Sequence, residues 1–227
     1  MIAKVSNGMV IKEIDKKQFN SSQFIEAISL YRSSFPLNET RPFGKVIEML
    51  KDDTNYQLFV FLDDDSVVGI SLMYIFRTLS VALLDYMAVK EEYQRRKIGK
   101  KLFDYTFEKF RSAIPNGVGV LMEIQRATDL DPDRNKREDR IRFYMREGAK
   151  ILDEVDYLIP PIQKGMKPEL MYLMIKPIKE IEYLLSKSVI QYITAIYSSI
   201  YGYKGSDLLD KISQNLPRRI ILRSNRL

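Results

Sequence analysis

Residues 84–110 read LDYMAVKEEYQRRKIGKKLFDYTFEKF, and the fold turns on how that stretch is parsed. It opens as an apolar, strand-like run that ends at Val89. A short charged turn, Lys90 to Lys97, follows. From about Ile98 the apolar positions Ile98, Leu102, Phe103, Thr106, Phe107 and Phe110 recur at helical spacing, which predicts an amphipathic helix. The turn carries Lys90, Arg95, Arg96, Lys97 and Lys100, with Gly99 among them. A strand that passes through a basic turn into a helix start suits an anion. First-turn N–H groups lack intrahelical partners, the helix dipole adds partial positive charge, and arginine or lysine adds charge-assisted hydrogen bonds. A solvated basic turn ahead of an ordinary helix is the alternative reading.

The same residues resemble the acyl-CoA signature of the GNAT N-acetyltransferase superfamily. That signature is a strand ending in Leu/Met-Ala-Val, then Gln/Arg-x-x-Gly-x-Gly/Ala. Met87, Ala88 and Val89 end the strand, Gln94 takes the first turn position, and Gly99 the second glycine position. Lys97 replaces the first glycine. A lysine there must hold a backbone conformation that glycine adopts at no steric cost, or the turn must differ locally. A second element, Arg142-Phe143-Tyr144-Met145-Arg146-Glu147-Gly148, resembles the family's Arg-Leu/Phe-Tyr-x-x-x-Gly. The family commonly has asparagine seven residues before that tyrosine; this chain has Arg137, a candidate phosphate ligand.

The chain has 227 residues, with 45% hydrophobic and 29% charged content, as expected of a globular protein with one substantial domain and an appendage. No run of about eighteen apolar residues occurs, because Arg77 and Asp85 interrupt Tyr74 to Val89. The N-terminal stretch lacks a signal-like apolar core, so a cytoplasmic protein is expected. There are no cysteines and no histidines. Disulfides, a cysteine nucleophile and histidine base or metal chemistry are thereby excluded. No metal site is expected; the acidic turn at Asp63 to Asp65 lacks the glycine and distal glutamate of a calcium loop. The formal charge is +6, and from Lys179 onward eight cations face four anions. Such a balance favours polyanionic neighbours, including CoA phosphates. No specific nucleic-acid module is recognisable.

Patterning gives a strand at Val10 to Ile14, then a helix capped by Ser21 or Ser22 and running to about Phe35. A proline-bracketed loop and a short helix from Phe43 to Leu50 follow. Strands are expected at Tyr56 to Leu62, Val67 to Phe76, Val81 to Val89, Gly117 to Gln125, Lys150 to Ile159 and Leu170 to Ile175. A helix is expected over Arg140 to Glu147, stopped by Gly148. The resemblance implies an α+β GNAT fold: a mixed, mostly antiparallel central sheet flanked by helices, with parallel, splayed strands flanking the Gly99 helix. It places a GNAT domain over residues 1–177 and leaves 178–227 as a basic, amphipathic, helical C-terminal extension. Those helices would cover the core domain, pair in a homodimer, or lie on a membrane surface.

The resemblance further implies acetyl-CoA as cosubstrate. The backbone of Met87, Ala88 and Val89 would hold its pantetheine arm. The residues Gln94, Arg95, Arg96, Lys97, Ile98, Gly99 and Lys100 would hold its pyrophosphate. Tyr144 would donate to the leaving thiolate. Asp85 or Glu123 is the candidate base, or an amine-recognising carboxylate; each is equally open to a structural hydrogen bond. Glu39 and Arg41, in the proline-bracketed loop, are candidate substrate contacts, with a plain surface loop as the alternative. The expected activity is direct acetyl transfer to a primary amine of a small molecule. The alternatives are a peptide or protein amine, or a fold that binds acyl-CoA without turnover.

Overall fold

A computed structural model describes residues 3–6, 8–35, 40–128, 132–162 and 165–224. They form two compact units. One is Met1–Ile75 with Leu84–Pro115; the other is Phe76–Leu83 with Asn116–Leu227.

The first unit holds β1 (Ala3–Ser6), β2 (Met9–Ile14), α1 (Ser22–Ser34), α2 (Phe43–Asp52), β3 (Tyr56–Asp63), most of β4 (Ser66–Phe76), the end of β5 (Val81–Val89) and α3 (Ile98–Ala113). Its strands lie in chain order, and β1/β2, β2/β3 and β3/β4 pair antiparallel. Strand β3 is central: consecutive Phe59, Val60 and Phe61 are all buried, as a strand covered on both faces requires. The Ser21 hydroxyl caps α1 by accepting from the Phe24 N–H at 3.2 Å. Helix α3 buries all six of its predicted apolar-face residues. Thr106 on that face meets Ser71 of β4 through a 2.8 Å hydroxyl contact. Strand β1 was not expected from the sequence. Its pairing with β2 turns at Gly8, whose φ of 78° falls where glycine alone is unstrained. A Cβ there would also stand 2.5 Å from Asp64 Oδ1.

The second unit holds β6 (Gly119–Gln125), α4 (Arg134–Arg146), β7 (Lys150–Leu152), β8 (Tyr157–Ile159), β9 (Glu169–Pro177), β10 (Tyr183–Leu185), α5 (Ser186–Ile196), a π-helical turn (Tyr197–Tyr201), α6 (Asp207–Ser213) and β11 (Arg219–Arg223). The strand order is β6-β9-β7-β11-β10, with β8 also on β9.

Three sequence expectations need correcting. The single strand expected over Lys150 to Ile159 is two, broken where Glu154 takes a φ of 59°. Helix α4 starts at Arg134, six residues early, because Glu138 bonds both Arg134 and Arg142 one turn away on either side. Residues 183–185 and 219–223 are strands, although the tail read as helical. Ile220, Ile221 and Leu222 are 0%, 51% and 6% exposed, the alternation of a strand covered on one face. Leu222 pairs with Leu152 of β7, and Ile221 with Tyr183 of β10. The helices do exist. Val189, Tyr192, Ile193 and Ile196 of α5 and Leu208 and Ile212 of α6 are buried, so these faces cover their own unit. Among the described residues no helix is long and apolar enough to cross a membrane.

Candidate active site

The basic turn is built on strained backbone. After β5 comes a 3-10 turn, Glu91–Tyr93, and the Gln94 side-chain amide donates back to the Val89 carbonyl at 3.4 Å. Arg95 and Lys97 both have φ of 62°. Lysine does occupy the left-handed conformation that the glycine position demands, at a cost of roughly 1–2 kcal/mol for a residue bearing Cβ. Lys97 is also the N-cap of α3, and its own side chain makes no capping hydrogen bond. A left-handed residue followed by right-handed ones turns successive N–H groups into a concave, anion-sized array. Arg95, Arg96, Lys97 and Lys100 are exposed, Gly99 is half-buried and Ile98 is buried, anchoring the helix start. Arg96 lies 4.9 Å from the Tyr93 ring centroid. Met87, Ala88 and Val89 are half-buried. Gly69 of β4 backs them: a Cβ there would come within 3.3 Å of the Ala88 carbonyl oxygen.

Two predicted site residues of the first unit form one buried pair. Arg41 and Asp85 make a salt bridge with side chains only 5% and 2% exposed. The Tyr56 hydroxyl also donates to Asp85 Oδ2. The Arg41 guanidinium reaches Tyr56 Oη at 3.2 Å and sits 5.0 Å from the Tyr86 ring centroid. Its backbone is held too, since Tyr31 Oη donates to the Arg41 carbonyl at 3.0 Å. Burial pushes the Tyr56 and Tyr86 hydroxyls up in pKa, and the nearby Asp85 charge adds to the effect. Both phenols therefore stay neutral donors. Thr40 and Arg41 are buried, against the surface-loop alternative. Glu39 lies outside the described residues.

In the second unit the strand register gathers a different cluster. Glu123 pairs with Leu173, and Tyr157 with Met171, two residues away on β9. Residues two apart on a strand share a face, so Glu123 and Tyr157 project to the same side. The Tyr157 hydroxyl donates to Glu123 Oε1, and the Tyr201 hydroxyl donates to Oε2 at 2.8 Å. Tyr201 belongs to the π-helical turn and was not singled out from the sequence. Nothing local marks it, because its partner lies 78 residues away. Burial first, then the Glu123 charge, pushes the Tyr157 pKa well up.

Tyr144, on α4, is 6% exposed and packs edge-on against Phe143 with ring centroids 5.1 Å apart. Burial raises its hydroxyl to about 12, slightly offset by Arg140, so it is protonated at neutral pH. Arg137 donates to the Arg126 carbonyl at 3.3 Å and ties α4 to the end of β6. Gly148, with φ of 88°, stops the helix as expected.

The GNAT acetyltransferase domain family matches residues 54–148. The matched span includes the basic turn, Asp85, Glu123 and Tyr144. Among curated proteins none matches the chain. Solved GNAT structures share its fold. One is a protein from Bacteroides thetaiotaomicron assigned to the GNAT family. It is 20% identical with a TM-score of 0.67, over 86% of this chain and 99% of that one. Another is an aminoglycoside 6'-N-acetyltransferase complexed with coenzyme A, 20% identical with a TM-score of 0.56, over 75% and 98%. A third is a ribosomal-protein alanine N-acetyltransferase from Escherichia coli, 14% identical with a TM-score of 0.52, over 76% and 96%. At these identities the likeness shows the fold alone. The mixed α/β, mostly antiparallel architecture of this chain matches theirs.

Proposed function

We propose that this GNAT protein is an N-acetyltransferase that moves acetyl from acetyl-CoA directly to a primary amine of a small molecule. The observation that carries the reading is the left-handed Lys97 at the start of α3, inside the matched domain. A lysine forced into a glycine's conformation keeps the N–H array that a diphosphate needs. In this reading the main chain of Met87 to Val89 takes the pantetheine arm. The amides of Arg95 to Lys100 hold the pyrophosphate, with Arg95 and Arg96 adding charge.

With no cysteine in the chain, no acetyl-cysteine forms and transfer is direct. The amine nitrogen attacks the thioester carbonyl and the carbon–sulfur bond breaks. The departing thiolate takes a proton from Tyr144, which is protonated at neutral pH. The amine's proton passes to a carboxylate or to water. Glu123 suits that role better than Asp85, whose carboxylate is committed to Arg41.

Thiol release from acetyl-CoA with a mixture of amines tests the proposal. The wild type is expected to release thiol only when an amine is present. Tyr144→Phe is expected to lower turnover roughly a hundredfold, in the range of a lost general acid, with cofactor affinity little changed. Binding of acetyl-CoA without any amine-dependent release would leave a non-catalytic acyl-CoA-binding protein instead.

A further inference from the structure

The basic turn after β5 leans on the hairpin that joins β3 to β4. Lys90 prolongs the strand by one residue, its N–H donating to the Val68 carbonyl of β4 at 2.9 Å. The 3-10 turn Glu91–Tyr93 then closes, with the Tyr93 N–H on the Lys90 carbonyl at 2.9 Å. Tyr93 is half-buried, and its hydroxyl donates to Asp63 at the end of β3. The hairpin beneath is fixed in turn, since the Asp64 N–H donates to the Gly8 carbonyl at 2.8 Å. Tyr93 is therefore tied at its backbone and at its tip.

The ring between those two ties carries a cation. The guanidinium carbon of Arg96 lies over it, 4.9 Å from the centroid, within cation–π range. A guanidinium meets a ring with its face, while its N–H donors lie in its plane, so a stacked arginine still presents them to phosphate oxygens. Stacking also removes rotamer freedom beforehand, which lowers the ordering cost that falls on binding. The main chain is set on both sides of Arg96, because Arg95 and Lys97 are each left-handed at φ of 62°.

We propose that Tyr93 is a positioning residue: braced by Asp63, it holds Arg96 in place for the diphosphate of acetyl-CoA. This deepens the function proposed above and rests on its placement of the diphosphate. Tyr93 acts through Arg96 and touches no reacting atom.

Calorimetric titration of acetyl-CoA into full-length variants tests the proposal through a double-mutant cycle. Arg96→Met is expected to weaken binding about tenfold, as the loss of a charge-assisted contact does. Tyr93→Leu is expected to weaken it about fivefold, the upper range for an exposed cation–π contact. Tyr93→Phe keeps the ring, drops the bond to Asp63 and should cost about twofold. The double variant Tyr93→Leu/Arg96→Met should bind no more weakly than Arg96→Met alone, since the ring works only through the arginine. Set against Arg95→Met instead, the Tyr93→Leu loss should persist in full. In turnover, Tyr93→Leu should raise KM for acetyl-CoA about fivefold with kcat within about twofold. Its KM for S-acetylpantetheine, which lacks the diphosphate, should not move, whereas a merely structural role would weaken both cosubstrates alike. If Tyr93→Leu does not fold, Tyr93→Phe takes its place in the cycle. Wild-type affinity in the Tyr93 variants, or losses that simply add in the double variant, would overturn the inference while the diphosphate placement stands. Wild-type affinity in both Arg96→Met and Gly99→Asp would overturn that placement, and the inference with it.

Discussion

Asp85 and Glu123 look alike in sequence: each is a single acid in an apolar strand. Their surroundings divide them. Asp85, in the first unit, is matched by the guanidinium of Arg41, almost entirely out of water. Glu123, in the second, is held by two phenols and remains half-buried. The first arrangement satisfies a charge and fixes a loop; the second orients a carboxylate through two hydroxyl donors. An acid in a core strand is therefore assigned a role by the donor opposite it, and that donor comes from elsewhere in the chain.

The sharpest way to break this comparison is to unpair Asp85. Arg41→Met would strand a buried carboxylate and should destabilise the fold by about 3–5 kcal/mol in urea denaturation. Adding Asp85→Asn should recover much of that loss. A cost below about 1 kcal/mol would mean that the pair is not the lock described. On the other side, Tyr157→Phe removes one hydrogen bond to a charged group and should cost about 1.5–3 kcal/mol. Because Tyr201 still holds Glu123, the effect should fall short of that of Arg41→Met. A larger loss than the arginine variant shows would reverse the contrast.

Alkaline unfolding sharpens the account of Tyr144. Its folded pKa, about 12, lies above the value near 10 of an unfolded tyrosine. Between these the folded state holds more protons than the unfolded one, so stability falls as pH rises. The contribution is fully present below about pH 10 and is lost towards pH 12, at up to roughly 1.4 kcal/mol per pH unit. Tyr144→Phe should flatten the drop between pH 10 and 11 relative to wild type. Superimposable slopes would contradict the burial of that hydroxyl. The smallest effect is expected at the turn, where Lys97→Gly relieves left-handed strain but gives the unfolded chain more freedom. A net gain of about 0.5–1 kcal/mol is expected, read as a small rise in Tm. A loss would mean that the lysine side chain makes a compensating contact.

Local pattern carried most of the fold. Helix α3 was legible because six apolar residues recur at helical spacing, and α1 because Ser21 stands at its cap. Strand β3 was legible because Tyr56 to Leu62 is unbroken and rich in aromatic and branched residues. The misread elements share one cause: long-range pairing decided them. Three residues, Ile220 to Leu222, are too few to show a period until β7 and β10 lie beside them. Helix α4 begins ahead of the start expected at Arg140 because Arg134, Glu138 and Arg142 bond along one face. Within the candidate site, the turn and Tyr144 announced themselves through motif. Asp85 and Glu123 were visible as acids in strands, but Arg41 stands 44 residues from one and Tyr201 stands 78 from the other. No local spacing encodes those partnerships.

The central claim is that the backbone from Arg95 to Lys100 receives the diphosphate of acetyl-CoA. Calorimetric titration of acetyl-CoA into wild type and Gly99→Asp tests it most directly, with circular dichroism to verify folding. An aspartate at the second residue of α3 sets a carboxylate among the N–H groups meant for phosphate. The account predicts saturable binding by the wild type and its loss in a folded Gly99→Asp protein. Equal affinity in the two would contradict it.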